Sequence, residues 1–152
     1  MEHKPLAELQ ARAHVHPISL PVSISREQRL QRWFDILESD SERRLCALRE
    51  IEHLSEAQRR ECRADNSPLT VAYEDPILRA AGLRSDRIGD CTEFFGLNDA
   101  QVHHAFCSCH VGFTLSAGQA ARRLRRAWRM GRLRASFREV IGTTFRRLFR
   151  WA

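Results

Sequence analysis

Ser25-Arg26-Glu27-Gln28-Arg29-Leu30-Gln31-Arg32-Trp33-Phe34-Asp35-Ile36-Leu37 is the stretch that decides the fold class. A serine followed three residues on by glutamine is a capping box: the hydroxyl takes the free amide of the first helical turn, and the glutamine reaches back to the serine amide. Leu30, Trp33, Phe34 and Leu37 then recur at i, i+3, i+4 and i+7, so all four share one side of an α-helix. The sequence therefore predicts a mainly α protein, a small helical domain with a basic amphipathic C-terminal helix and at most one short strand or hairpin.

Downstream, Ser39 to Ser41 ends that helix. Leu45, Leu48, Ile51 and Leu54 keep a helical spacing, which predicts a second helix running antiparallel to the first. Ser55-Glu56-Ala57-Gln58 offers a helix start, but Arg59 to Asn66 is charged and Asn66-Ser67-Pro68 marks a turn, so residues 58–68 read as an exposed connection. Leu69 to Tyr73 alternates and is β-branched, the pattern of a short strand without an obvious partner. Asp75-Pro76 is an N-cap followed by proline at the first helical position, and Gly82 falls where that helix should stop. Asn98-Asp99-Ala100-Gln101 caps another helix, running to about Cys107 with Leu97, Val102 and Phe106 turned inward. Gly112 ends the next turn, and residues 115–119 cap the start of a basic segment.

Upstream, residues 1–22 are polar, interrupted by Pro5, Pro17 and Pro21, and read as an N-terminal arm. The helical domain is assigned to residues 23–130 and the basic helix to residues 131–152. Within the basic segment the apolar side changes phase at Gly131. Ala117, Ala120, Ala121, Leu124, Ala127 and Trp128 form one stripe, and Leu133, Phe137, Ile141, Phe145, Leu148 and Trp151 form another, which predicts a break between two helices.

A chain of 152 residues can bury a core without disulfides or metals. Its start lacks the pattern of a secretory signal, no window is apolar enough to span a bilayer, and five cysteines are odd in number and irregularly spaced. These features point to a reducing cytoplasm, with peripheral membrane attachment as a variant. Residues 1–112 hold 14 basic and 18 acidic side chains, whereas residues 113–152 hold 11 arginines and one acid, Glu139. The basic character belongs to the C-terminal part alone. Arginine outnumbers lysine 24 to 1 throughout, so the choice of arginine carries little meaning, but the near absence of acids does. Arg122, Arg123, Arg125, Arg126, Arg129, Arg132, Arg134, Arg138, Arg146, Arg147 and Arg150 are the candidate contacts to an acidic surface, with Leu133, Phe137, Ile141, Phe145, Leu148 and Trp151 as the apolar face toward a partner or membrane. The surface could be an anionic membrane, nucleic acid or an acidic protein. The plainer alternative packs this segment back onto the mildly acidic domain.

One cluster could carry chemistry. His103, His104, Cys107, Cys109 and His110 crowd into eight residues, and Cys91 precedes them by one short helix. His103 and Cys107 lie one helical turn apart, as two zinc ligands often do, and Cys109 or His110 with Cys91 could complete a tetrahedron. The competing explanation is that Cys107 fills a core gap beside Phe106 while the histidines face water. No phosphate loop, paired acid and base, or serine elbow is present, so no catalytic residue is assigned and an enzyme is the less favoured class. The leading expectation is a non-catalytic regulatory or adaptor protein whose C-terminal helix engages an acidic surface. The alternative is a thiol- or zinc-dependent enzyme or sensor using Cys91, His103, Cys107, Cys109 and His110.

Overall fold

The computed structural model describes residues 23–131. The arm expected at residues 1–22, and the second apolar stripe with Arg132, Arg134, Arg138, Arg146, Arg147 and Arg150, lie outside the described residues. The helix beginning after Ser25 is α1 (Arg26–Ser39). It carries the expected capping box, with Ser25 accepting from the Gln28 amide. Leu30, Trp33, Phe34 and Leu37 are its buried residues, at most 2% exposed. Each such side chain stabilises the fold by roughly 1.5–3 kcal/mol of apolar burial.

The chain then forms β1 (Arg44–Cys46), α2 (Glu56–Glu61), α3 (Pro68–Glu74), α4 (Pro76–Ala80), α5 (Ile88–Phe95), α6 (Asp99–Phe106), α7 (Ser108–Val111) and β2 (Thr114–Ser116). A further helix, α8, occupies residues 117–131. The protein is thus mainly α, with one two-stranded antiparallel sheet among the described residues, in which Arg44 faces Ser116 and Cys46 faces Thr114.

Two expectations fail. Leu45, Leu48 and Ile51 are buried as their spacing suggests, but no helix forms there. Their backbone is claimed by distant partners instead: Cys46 donates to Asn66, Ala47 to Phe113 and Leu48 to Phe106. A short apolar run cannot announce a strand whose partner lies at Thr114–Ser116. The segment Leu69–Tyr73 is helical rather than extended. Ser67 caps it, accepting from the Thr70 amide, and Pro68 sits in the first turn, an arrangement that outweighs the β-branched residues. The connection expected to be exposed at residues 58–68 is helical at its start, where α2 forms on its own capping box, Ser55 with Gln58, without a fully buried residue, and is buried at its end, at Ser67 and Pro68, where α3 begins.

The core is centred on Trp33, which stacks on Phe95 at 4.3 Å, leans against Phe106 at 5.7 Å and donates its indole N–H to the Pro68 carbonyl at 3.0 Å. Ala117, Ala120, Ala121 and Leu124 close it from α8, almost wholly buried. Several arginines hold helices together rather than merely charging the surface. Arg26 and Arg29 donate to the last carbonyls of α5, and Gly96 beyond them is left-handed at φ 62°, where a Cβ would meet Arg26 Nε at 2.5 Å. Arg123 does the same for α6, and Arg125 pairs with Glu38 of α1.

Candidate metal centre

The Asn98 cap sets the phase of α6, with Asn98 accepting from the Gln101 amide and Gln101 returning the bond. This burial phase turns Val102, Ala105 and Phe106 into the core and leaves His103 and His104 on the flank, in the last turn. Cys107 ends α6 and begins α7, which carries Cys109 and His110. Opposite this junction runs the segment after β1. Leu48 donates to Phe106 O at 2.9 Å and accepts from Ser108 N at 2.7 Å, a parallel bridge across Cys107. The Cys107 thiol points at Arg49 O, 3.6 Å away. Buried Ile51 then anchors a turn, its carbonyl accepting from Leu54, and that turn holds Glu52 against the end of α6.

The result is a cluster of four donor groups from two chain segments: Glu52, His103, Cys107 and Cys109, whose ligand atoms all lie within 4.8 Å of one another. His103 Nε2 is 2.6 Å from the Glu52 carboxylate and 3.3 Å from Cys109 Sγ. Around a tetrahedral zinc ion, bonds of about 2.0–2.3 Å put ligand atoms roughly 3.3–3.8 Å apart. The set therefore needs only about an ångström of adjustment to close on one ion. Cys107 forms its buried floor, while Cys109 and Glu52 stand at its rim.

The electrostatics fit the same picture. The Cys109 thiol, its own backbone amide and His103 hold the Glu52 carboxyl down to about 2. Loss of water at the Cys109 sulfur, with Cys107 and Glu52 beside it, pushes that thiol up to about 12. A divalent cation at the cluster would reverse the second effect, because it stabilises the thiolate that Glu52 opposes. Without a cation, neither Cys109 nor Cys91 has the stabilised thiolate that nucleophilic chemistry requires. Burial, aided by Asp86 and Asp90, raises the Cys91 thiol far above its ordinary value.

The structure brings His103 and Cys107, one helical turn apart, together with Cys109 from the turn that follows, but leaves Cys91 outside the set. Cys91 faces the core from α5, with its thiol directed at Ser85 O, 3.6 Å away. His110 does not join the four donors either. Its ring packs edge-on to His103 at 4.8 Å and stacks on His104 at 4.6 Å. Desolvation, and then the neighbouring His103, His104 and Arg123, hold His110 below the ordinary imidazole value. The fourth donor, Glu52, escaped the sequence because its neighbourhood reads as helix and nothing in the spacing links it to residues fifty positions away. Comparison with protein-family models, curated proteins and solved structures finds no match.

Of the arginines expected to meet an acidic surface, Arg123 and Arg125 are committed to α6 and to Glu38, while Arg122, Arg126 and Arg129 have no hydrogen bond or ion pair among the described residues. No helix among the described residues is long and apolar enough to cross a membrane.

Proposed function

We propose that this is a non-catalytic, metal-responsive protein that holds one zinc ion through Glu52, His103, Cys107 and Cys109. The observation that carries this reading is the convergence of a carboxylate, an imidazole and two thiols from segments on either side of the Leu48–Cys107 bridge. Two thiols and an imidazole suit zinc better than magnesium or calcium, which prefer oxygen. Four protein donors fill a tetrahedron and leave no open position for substrate water, which favours a structural or sensing ion over a catalytic one. Binding would tie the Glu52 turn to the α6–α7 junction, so occupancy of the ion and order of that turn become one event.

Elemental analysis of protein purified without chelator tests this, together with cobalt substitution. A near-stoichiometric content and a thiolate-to-cobalt charge-transfer band that weakens in Cys109→Ser and disappears in Cys107→Ser/Cys109→Ser are expected. Less than about a tenth of an equivalent after zinc supplementation would refute the centre.

A second reading concerns the C-terminal part. The 11 arginines and single acid of residues 113–152 favour engagement of an acidic surface, with anionic membrane ahead of nucleic acid because the apolar residues Phe137, Ile141, Phe145 and Leu148 accompany the charge. Truncation after Gly131 should abolish co-sedimentation with phosphatidylserine vesicles; unchanged sedimentation would dismiss it.

A further inference from the structure

Between the start of α6 and the outer side of α8 lies a cleft of about 480 Å³ that contains no acidic residue. Its volume falls within the roughly 300–1,000 Å³ typical of small-molecule sites. Gln101 bridges the two helices at its base, donating to Ala127 O at 3.1 Å, and Gly131 approaches the same amide so closely that an added Cβ, 2.1 Å from Gln101 Nε2, would displace it. Arg122 and Arg126 project from α8 one turn apart, and both line the cleft. Arg123 lines the cleft as well, but its guanidinium is committed to the Ala105 and His104 carbonyls; His104 adds an imidazole, while Ala127 and the half-exposed Met130 give the cleft an apolar side.

Eight arginines of the described residues, among them Arg32, Arg63 and Arg125, are paired with carboxylates. Arg122 and Arg126 make no such pair, a lack they share with Arg44, Arg49, Arg79 and Arg129; what sets the two apart is that they stand at i, i+4 on one helix and line the same cleft, although like charges at that spacing repel. An unneutralised arginine pair facing one cleft is an arrangement suited to a dianionic phosphate, which guanidinium groups grip through paired hydrogen bonds. The apolar side fits the organic body attached to it.

We infer that this cleft binds a phosphorylated small molecule of mononucleotide size, with Arg122 and Arg126 on the phosphate and Met130 and Ala127 against the organic body. The inference uses different residues from the proposed metal centre and does not depend on it.

The chain contains only two methionines, Met1 and Met130, which makes a site-resolved experiment simple. Full-length protein carrying ¹³C-methyl methionine is titrated with adenosine monophosphate at constant ionic strength, with inorganic phosphate, sodium sulfate and phosphatidylserine vesicles as parallel arms. Saturable movement of the Met130 methyl signal with the mononucleotide, while Met1 stays in place, is expected. Arg122→Gln/Arg126→Gln should weaken that binding at least about tenfold, and Arg129→Gln, exposed but outside the cleft, should change it by less than about twofold. Both arginines are exposed and unpaired, so the variant should fold, and an unchanged melting temperature verifies it. The site is overturned if Met130 does not move, if sulfate moves it equally well, if only vesicles do, or if the double variant binds as the wild type does. Equal affinity for inorganic phosphate overturns the organic body.

Discussion

Asp75 offers a quantitative test of how the helices are joined. It ends α3 and caps α4, accepting from the Leu78 amide at 2.9 Å, and it takes Nε and Nη2 of Arg32 from α1 at 3.2 and 2.7 Å. Asp75→Ala removes both functions. Loss of an N-cap costs about 1 kcal/mol. The ion pair adds only about 0.5–1 kcal/mol, because the Arg32 side chain is 42% exposed and solvent screens it. Asp75→Ala should therefore cost about 2 kcal/mol, or about 4–8 °C in melting temperature for a chain of this size. Asp75→Asn keeps a good capping oxygen and loses only the charge, so it should cost about 0.5–1 kcal/mol.

The two contributions also separate by pH. Burial pushes the Asp75 carboxyl up, but Arg32 and the amides of Leu78 and Ile77 outweigh it and hold the carboxyl below its ordinary value. A carboxyl lowered by folding stabilises fully above the unfolded value, about 3.9, and loses that stabilisation as pH falls through the folded one. Thermal melts followed by circular dichroism should show a gap between wild type and Asp75→Asn that is full at neutral pH and closes in strong acid, while Asp75→Ala stays below both. If the asparagine variant is as unstable as alanine at neutral pH, or if its gap persists in strong acid, the assignment of cap and charge is wrong.

Other substitutions probe the remaining contacts. Gly96→Ala should destabilise by more than about 1 kcal/mol, since it combines a left-handed backbone with displacement of Arg26, and a chemical denaturation series measures it. Trp33→Phe should cost about 1–3 kcal/mol by removing the indole hydrogen bond to the Pro68 carbonyl and part of the ring packed on Phe95, and Trp33→Ala about 3–5 kcal/mol or more by opening a cavity beside Phe95 and Phe106; calorimetry distinguishes them. Zinc at about a thousand times its dissociation constant should stabilise the wild type by about 4 kcal/mol, some 8–16 °C, and leave Cys109→Ser and His103→Gln unmoved in the same melts.

Local chemistry was legible in the sequence and distant pairing was not. Ser25, Asp75 and Asn98 each announce a helix because a cap is satisfied by residues within three positions, and all three helices form. The same rule would have found α3 from Ser67, Pro68 and Thr70, had the alternation of Leu69 to Tyr73 not suggested a strand. The strand at Arg44–Cys46 had no such local signal, since its partner is β2. The candidate site divides along the same line. His103 and Cys107 belong to one helix and could be paired by spacing, whereas Glu52 arrives through the Leu48–Cys107 bridge. Arginine was equally ambiguous: charge counting could not separate Arg26, Arg29 and Arg123, which hold helix carbonyls, from Arg122 and Arg126, which do not.

The small sheet also governs how the molecule must come together in time. Its strands are separated by about 70 residues of helices, so zipping Arg44–Cys46 against Thr114–Ser116 closes a loop that contains α2 to α7. Closing a flexible loop of that length costs about 4 kcal/mol of chain entropy. Three residue pairs cannot repay that alone, so the strands can meet durably only after the intervening helices have condensed around Trp33. The sheet is then a late event in folding, and with it the Leu48–Cys107 bridge that brings Glu52 to the cysteines.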